Sequence, residues 1–224
     1  MDDATGDAYY RPGDVAERLF FTLADGTETD PDTAIAVAAD DQGWAPLEPD
    51  AEALLADESA NPYDRYLAMT ALARWGSPVG YAAVRAAAQD PDDQPFRDYS
   101  IDRFYSLDNT FALLIQAVSL GIDEAKERGT NAERLSAIGA LVGIFDRVYF
   151  EHNLSPSGMF DEDVRQLRGT FEEQIERGIA ELDAAPAEVP LPGWIPDQVE
   201  DLINSLGMID KDAAAAYKAR LPRQ

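Results

Sequence analysis

The sequence predicts an all-α fold assembled from antiparallel helix pairs. Three observations predict it. Apolar residues recur at helical spacing along most of the chain, as at 15, 19, 20 and 23, at 135, 138, 141, 142, 145 and 148, and at 199, 202, 203 and 206. Alanine-rich runs such as 34–39 stand where strands would carry β-branched and aromatic residues. The breaks between runs hold helix-start and helix-stop chemistry: Asn61-Pro62 and Thr130-Asn131 open segments, and Gly26, Gly76 and Gly207 close them.

Taken in order, the first helix starts after Pro12 with Asp14 as a cap and runs toward Gly26. Asp30-Pro31-Asp32-Thr33 opens residues 34–39 as a short helix. Gln42 to Pro46 is a break, and a short helix follows around 51–56. Asn61 caps a helix through Tyr66, Leu67 and Ala71 to Gly76. Pro78 opens its partner, with Val79, Ala82, Ala83, Ala87 and Ala88 as a small-residue face that permits close approach. Within the aspartate- and aromatic-rich stretch 91–108, a helix is expected from Asp98 to about Tyr105. Residues 109–121 are apolar on more than one side and predict a buried helix. Thr130 opens a helix expected to reach about Glu151, residues 155–158 are a loop, and 161–182 predict one long amphipathic helix. Ala184 to Pro192 is a proline-rich linker, Pro196-Asp197 opens a helix that Gly207 ends, and 210–221 is the last helix. The expected organisation is one helical domain over 1–185, with acidic helices at 1–50 and the main stack at 51–185. Residues 186–224 add the linker and C-terminal helices that pack back on the body.

Composition restricts function. The chain has 224 residues, 46% of them hydrophobic, enough for an ordinary core. It has no cysteine, which removes disulfides, thiol catalysis and thiolate metal sites. The acidic start lacks the basic and apolar regions of a secretory signal. The longest uncharged run, 109–122, falls short of the roughly 20 apolar residues of a membrane-spanning helix. A cytoplasmic protein without a membrane partner is expected. A net charge of −25 argues against direct nucleic-acid binding, which needs a basic footprint, and favours basic partners. The charge is skewed: −15 over 1–64, −1 over 65–110, −7 over 111–185 and −2 over 186–224. Scarce lysine also suits a GC-rich or high-salt background, which accounts for the acid content better than for the skew.

Catalytic and metal signatures are weak. His152 is the only histidine and is expected as a dipole partner or cap near a helix C-terminus. A single histidine cannot supply the paired Glu-x-x-His ligands of a di-metal bundle. Residues 25–32 are oxygen-rich but lack the ligand order of a calcium loop. No nucleophile elbow or phosphate-binding glycine loop occurs. The expectation is a non-enzyme with no cofactor and no metal. A more suggestive pattern interleaves aromatics with acids: Asp40, Asp41 and Trp44, then Asp92, Asp93, Asp98, Tyr99, Asp102, Tyr105 and Asp108. Aromatic anchors among acids would suit a basic protein; equally, the aromatics could be core and the acids a solvated face.

Leu54-Leu55-Ala56-Asp57, Arg65, Ala68, Ala71-Leu72, Gly76, Pro78, Val84 and Asp90-Pro91-Asp92 together form a recognisable pattern. It resembles one unit of a HEAT-like repeat, covering 54–93. The resemblance implies a short α-solenoid of stacked helix pairs whose faces bind proteins, irregular after this first clear repeat because no second glycine-x-proline elbow follows. A small acidic chain of this kind also resembles bacterial toxin-immunity proteins. That resemblance implies a cognate, possibly basic and nuclease-type, toxin neutralised by covering its active site. The alternatives are a general α-solenoid adaptor with no toxin partner and, less favoured, a helical-repeat enzyme or a nucleic-acid mimic.

Overall fold

The structure is a computed structural model that describes residues 10–101, 106–185 and 191–222. Among the described residues it contains twelve α-helices and no sheet, so the chain is all-α. Contacts divide it into two units, 1–68 and 69–224, with the boundary inside a helix.

The first unit holds α1 (Asp14–Phe20), α2 (Pro31–Ala39), α3 (Glu48–Ala56) and the start of α4 (Pro62–Arg74). α1 buries Ala16, Leu19 and Phe20 and stops there, well short of Gly26. The next residues instead fold back on themselves: Leu23 N–H donates to Thr27 C=O at 2.9 Å and Thr29 N–H to Phe21 C=O at 3.0 Å, with Gly26 at φ 87° in the turn. The Asp30 carboxylate accepts from Thr33 N–H at 2.9 Å and fixes the start of α2. Ala34, Ile35, Ala38 and Ala39 form its buried stripe. Asn61 Oδ1 accepts from Tyr63 N–H at 2.8 Å and caps α4. Buried Asp64 accepts from the Tyr10 hydroxyl and from Gly13 N–H, tying down the chain before α1.

In the second unit the rest of α4 turns at Gly76, φ 77°, into α5 (Pro78–Gln89). The face that α5 buries is Gly80, Tyr81, Val84, Ala87 and Ala88. Val79 and Ala82, expected on that face, point to solvent, because the bulk of Tyr81 and Val84 sets the helix rotation. Gly80 lies against the end of α4, and a Cβ there would sit 2.5 Å from Ala73 N. Gly80→Ala therefore forces the helices apart. A loss of about 1–3 kcal/mol is expected in urea unfolding.

α5 packs along α8 (Asn131–Val142), which also receives α6 (Thr110–Leu120), α7 (Ile122–Arg128) and α10 (Arg168–Ala184). Five boundaries differ from expectation. Residues 98–101 are not helical: Asp98 has φ 65°, and Asn109 N–H donates to Ser100 C=O at 3.0 Å, closing a loop. The remainder of that expected helix, 102–105, lies outside the described residues. α7 is an additional helix, started by Gly121, where a Cβ would meet Ala73 C=O at 2.8 Å, and ended by left-handed Gly129. α8 ends at Val142 and leaves 143–160 irregular, because side chains from elsewhere satisfy its backbone. The expected long helix breaks at Leu167 into α9 (Asp161–Gln166) and α10. α11 (Trp194–Ile209) runs through Gly207, which lies close to Ala214 of α12 (Lys211–Lys218). Of the linker, 186–190 lie outside the described residues. α11 packs against α9, α10 and α12.

An ion pair in this core is fully buried. Arg134 of α8 pairs bidentately with Asp163 of α9, both side chains at 0% exposure. Asn131 Oδ1 accepts from Arg134 Nε at 2.9 Å. No helix among the described residues is long and apolar enough to cross a membrane.

Candidate protein-binding surface

The acids are not equivalent once folded. Residues 1–68 hold seventeen acids and three arginines, a balance of −14. Two of those arginines are engaged within the unit. Arg18 pairs with Asp50 at 2.8 Å, and Arg65 Nε donates to Leu55 C=O at 3.1 Å. Three arginines cannot neutralise seventeen acids, so the first unit keeps a net negative charge. Asp25, Asp30 and Asp57 are exposed and accept from Thr27, Thr33 and Ser59, and these bonds hold their carboxyls below the usual range. They stay ionised at neutral pH.

In the second unit twenty-six acids stand against fifteen lysines and arginines, and a share of them form ion pairs. Arg74 pairs with Glu124, Arg147 with Asp90 and Asp92, Arg168 with Glu172 and Asp210, Arg177 with Asp146, and Arg220 with Glu176. Most are exposed and individually weak, but they cancel charge locally.

The aromatic and acidic residues singled out from the sequence fall in both units. In the first, Asp40 is exposed at the start of a 3-10 turn and Trp44 is half-buried; the Asp41 side chain lies outside what is described. In the second, Asp93, Asp98 and Tyr99 are exposed. Asp92 accepts from Arg147 Nε at 3.1 Å and lies 3.9 Å from Arg97. Asp108 is internal, with its side chain 7% exposed, paired with Arg97 and accepting from Thr110 N–H at 3.1 Å. Asp102 and Tyr105 lie outside the described residues.

A feature that spacing alone did not reveal lies at 143–160. Three polar residues on one face of α11 pin this irregular segment. Gln198 donates to Phe145 C=O and Val148 C=O and accepts from Phe150 N–H, so one buried amide satisfies three backbone groups. Ser205 Oγ donates to Leu154 C=O at 2.7 Å. Asp201 meets His152 Nδ1 at 3.2 Å. His152 is therefore a partner of α11, not a helix cap, since α8 has already ended. Arg177 adds a bond to Gly143 C=O at 2.9 Å. Within the loop, Ser155 Oγ donates to His152 C=O at 2.6 Å and lies 2.7 Å from Ser157 Oγ. The usable signal was the break in α11's apolar face by Gln198, Asp201 and Ser205 at a spacing of three and four.

Burial pushes the Asp201 carboxyl above its ordinary value of 3.8, with His152 opposing and Asp197 and Glu200 adding to the rise. A raised acid favours the fold below pH 3.8, and that contribution is lost as pH rises through the folded value. The stability of the parent relative to Asp201→Asn should therefore be greater near pH 4 than near pH 7, as read by urea unfolding at both.

The outer side of the pinned loop forms a notch of about 170 Å³ with the end of α6. Leu120 and Phe160 flank it, and Met159, Asn153 and Ser157 contribute to its wall. Gly158 shapes it, since a Cβ there would lie 2.5 Å from Asn153. Among the described residues, no group of three or more histidines, aspartates and glutamates is placed to hold a metal ion.

No protein-family model, no curated protein and no solved structure matches the chain.

Proposed function

We propose that the protein is an acidic protein-binding module of the immunity type. It would neutralise a basic, nuclease-type toxin by covering its active site, on a HEAT-like scaffold of helix pairs. The observation that carries this is the uncompensated charge of the first unit, seventeen acids against three arginines. Such a field accelerates encounter with a basic surface and occupies the groove that would otherwise take phosphates. Stacked helix pairs supply a rigid frame and no catalytic constellation is needed, because occlusion is steric and electrostatic.

The test is affinity for a purified basic partner against ionic strength. A loss of about tenfold or more from low to high salt, mostly through slower association, is expected. Affinity that stays flat over that range contradicts the proposal. Inhibition of the partner's nuclease activity separates an immunity protein from an adaptor, which would bind without inhibiting.

A further inference from the structure

We propose that His152 is a proton-operated latch on the turn 150–158, closed while its ring carries a proton and Asp201 does not. The device lies within the second unit and is independent of what the first unit binds.

His152 is the hub of that turn. Its carbonyl accepts from Ser155 N–H at 3.0 Å, Ser155 Oγ at 2.6 Å and Ser157 Oγ at 3.3 Å. Ser155 C=O then accepts from Gly158 N–H at 3.0 Å and Met159 N–H at 3.1 Å. A shift of His152 is therefore passed to the turn as a whole, and with it to the notch wall made by Asn153, Ser157 and Gly158.

The residue before the hub is strained. Glu151 has φ 55°, a left-handed backbone that a glutamate keeps only while its surroundings fix it. Two ties on α11 do so. On one side Gln198 accepts from Phe150 N–H, and neither group titrates. On the other, His152 Nδ1 lies 3.2 Å from Asp201 Oδ2. The His152 side chain is 71% exposed and that of Asp201 11%. The ring thus exchanges protons with solvent, while the carboxyl holds a fixed place on its helix.

Charge sets the sign. Histidine is the side chain whose charge ordinarily changes between pH 5 and 8, and this chain has one. A protonated ring turns the contact into a charge-assisted bond. Asp197 and Glu200 of α11 act on the same carboxyl, and Glu151 adjoins the ring in sequence, so the surrounding charge favours an imidazolium. Glu200 is in turn 3.7 Å from Lys218 of α12. Of the other helices on α11, α9 commits Asp163 to Arg134, and α10 commits Arg168 to Asp210 and Arg177 to Asp146. The bond is present at mildly acid pH and is lost as pH rises through the histidine range. At the acid end Asp201 takes up a proton, at a pH that burial lifts above 3.8, and the latch opens again.

Amide hydrogen exchange on the full chain tests this. The Asn153 and Ser155 amides, bonded to Phe150 C=O and His152 C=O, report the turn. Corrected for the intrinsic effect of pH, their protection should be about two- to fivefold higher at pH 5.5 than at pH 7.5, the range set by a largely exposed ion pair. Amides inside α5 should not change in step. His152→Gln, at an exposed position, keeps a donor for Asp201 but does not titrate, and should flatten the response. Equal protection at the two pH values in the parent would overturn the latch. So would a response that persists in His152→Gln, or one that α5 shares in the same proportion.

Discussion

Asp163→Ala should lower the unfolding free energy by about 3–5 kcal/mol, the cost of leaving a buried charge without its partner. Both members of the Arg134–Asp163 pair have no solvent exposure, so water cannot replace the lost carboxylate. Arg134 reaches only weaker acceptors besides, the Val118 and Ser119 carbonyls at 3.4 Å and Asn131. The pair also joins α8 to α9, and with it the start of the pinned loop's far end. Urea unfolding of the variant measures the loss. The double variant Arg134→Met with Asp163→Leu should recover much of it, because two apolar groups of similar size remove the stranded charge. If the single substitution costs less than about 1 kcal/mol, the pair is not the buried junction described.

Gln198→Leu should cost about 3 kcal/mol or more, since it strands two carbonyls and one N–H that a single amide now satisfies. Leucine keeps the volume, so packing loss is a small part of the effect. The loosened region should be specific. Amide exchange of Phe150 should speed up far more than that of residues inside α5 or α6. Uniform acceleration throughout the second unit would instead mean a general loss of stability.

The helices were legible wherever the determinants are local. Asn61 sits at the expected cap and Pro78 opens its helix, because one side chain or one ring fixes those starts, whereas Asp14, the expected cap of the first helix, is its first helical residue after Gly13. What failed depends on distant partners. The periodicity of 135, 138, 141, 142, 145 and 148 is real, but the helix ends at Val142 because Gln198, more than fifty positions past Val142 in sequence, supplies the hydrogen bonds that a helix would otherwise make for itself. The break at Leu167 leaves Asp163 on a separate short helix facing Arg134, which no local propensity encodes. The acids were countable from sequence, but their state was not. Asp108 resembles its neighbours in the sequence, yet it is an internal ligand of Arg97 and Thr110, whereas Asp93 and Asp98 stay exposed. The notch was invisible for the same reason: its walls come from residues 116–120 and 153–160, joined only by the fold.

An acidic surface with this net charge calls for a basic protein partner. The most direct measurement uses the full chain as bait for proteins of its native host, followed by affinity measurement of the purified partner across a salt series. The expected result is a basic partner whose association rate falls steeply with ionic strength and whose own activity is blocked in the complex. A partner that is neutral or acidic, or one whose affinity is unchanged from low to high salt, would contradict it.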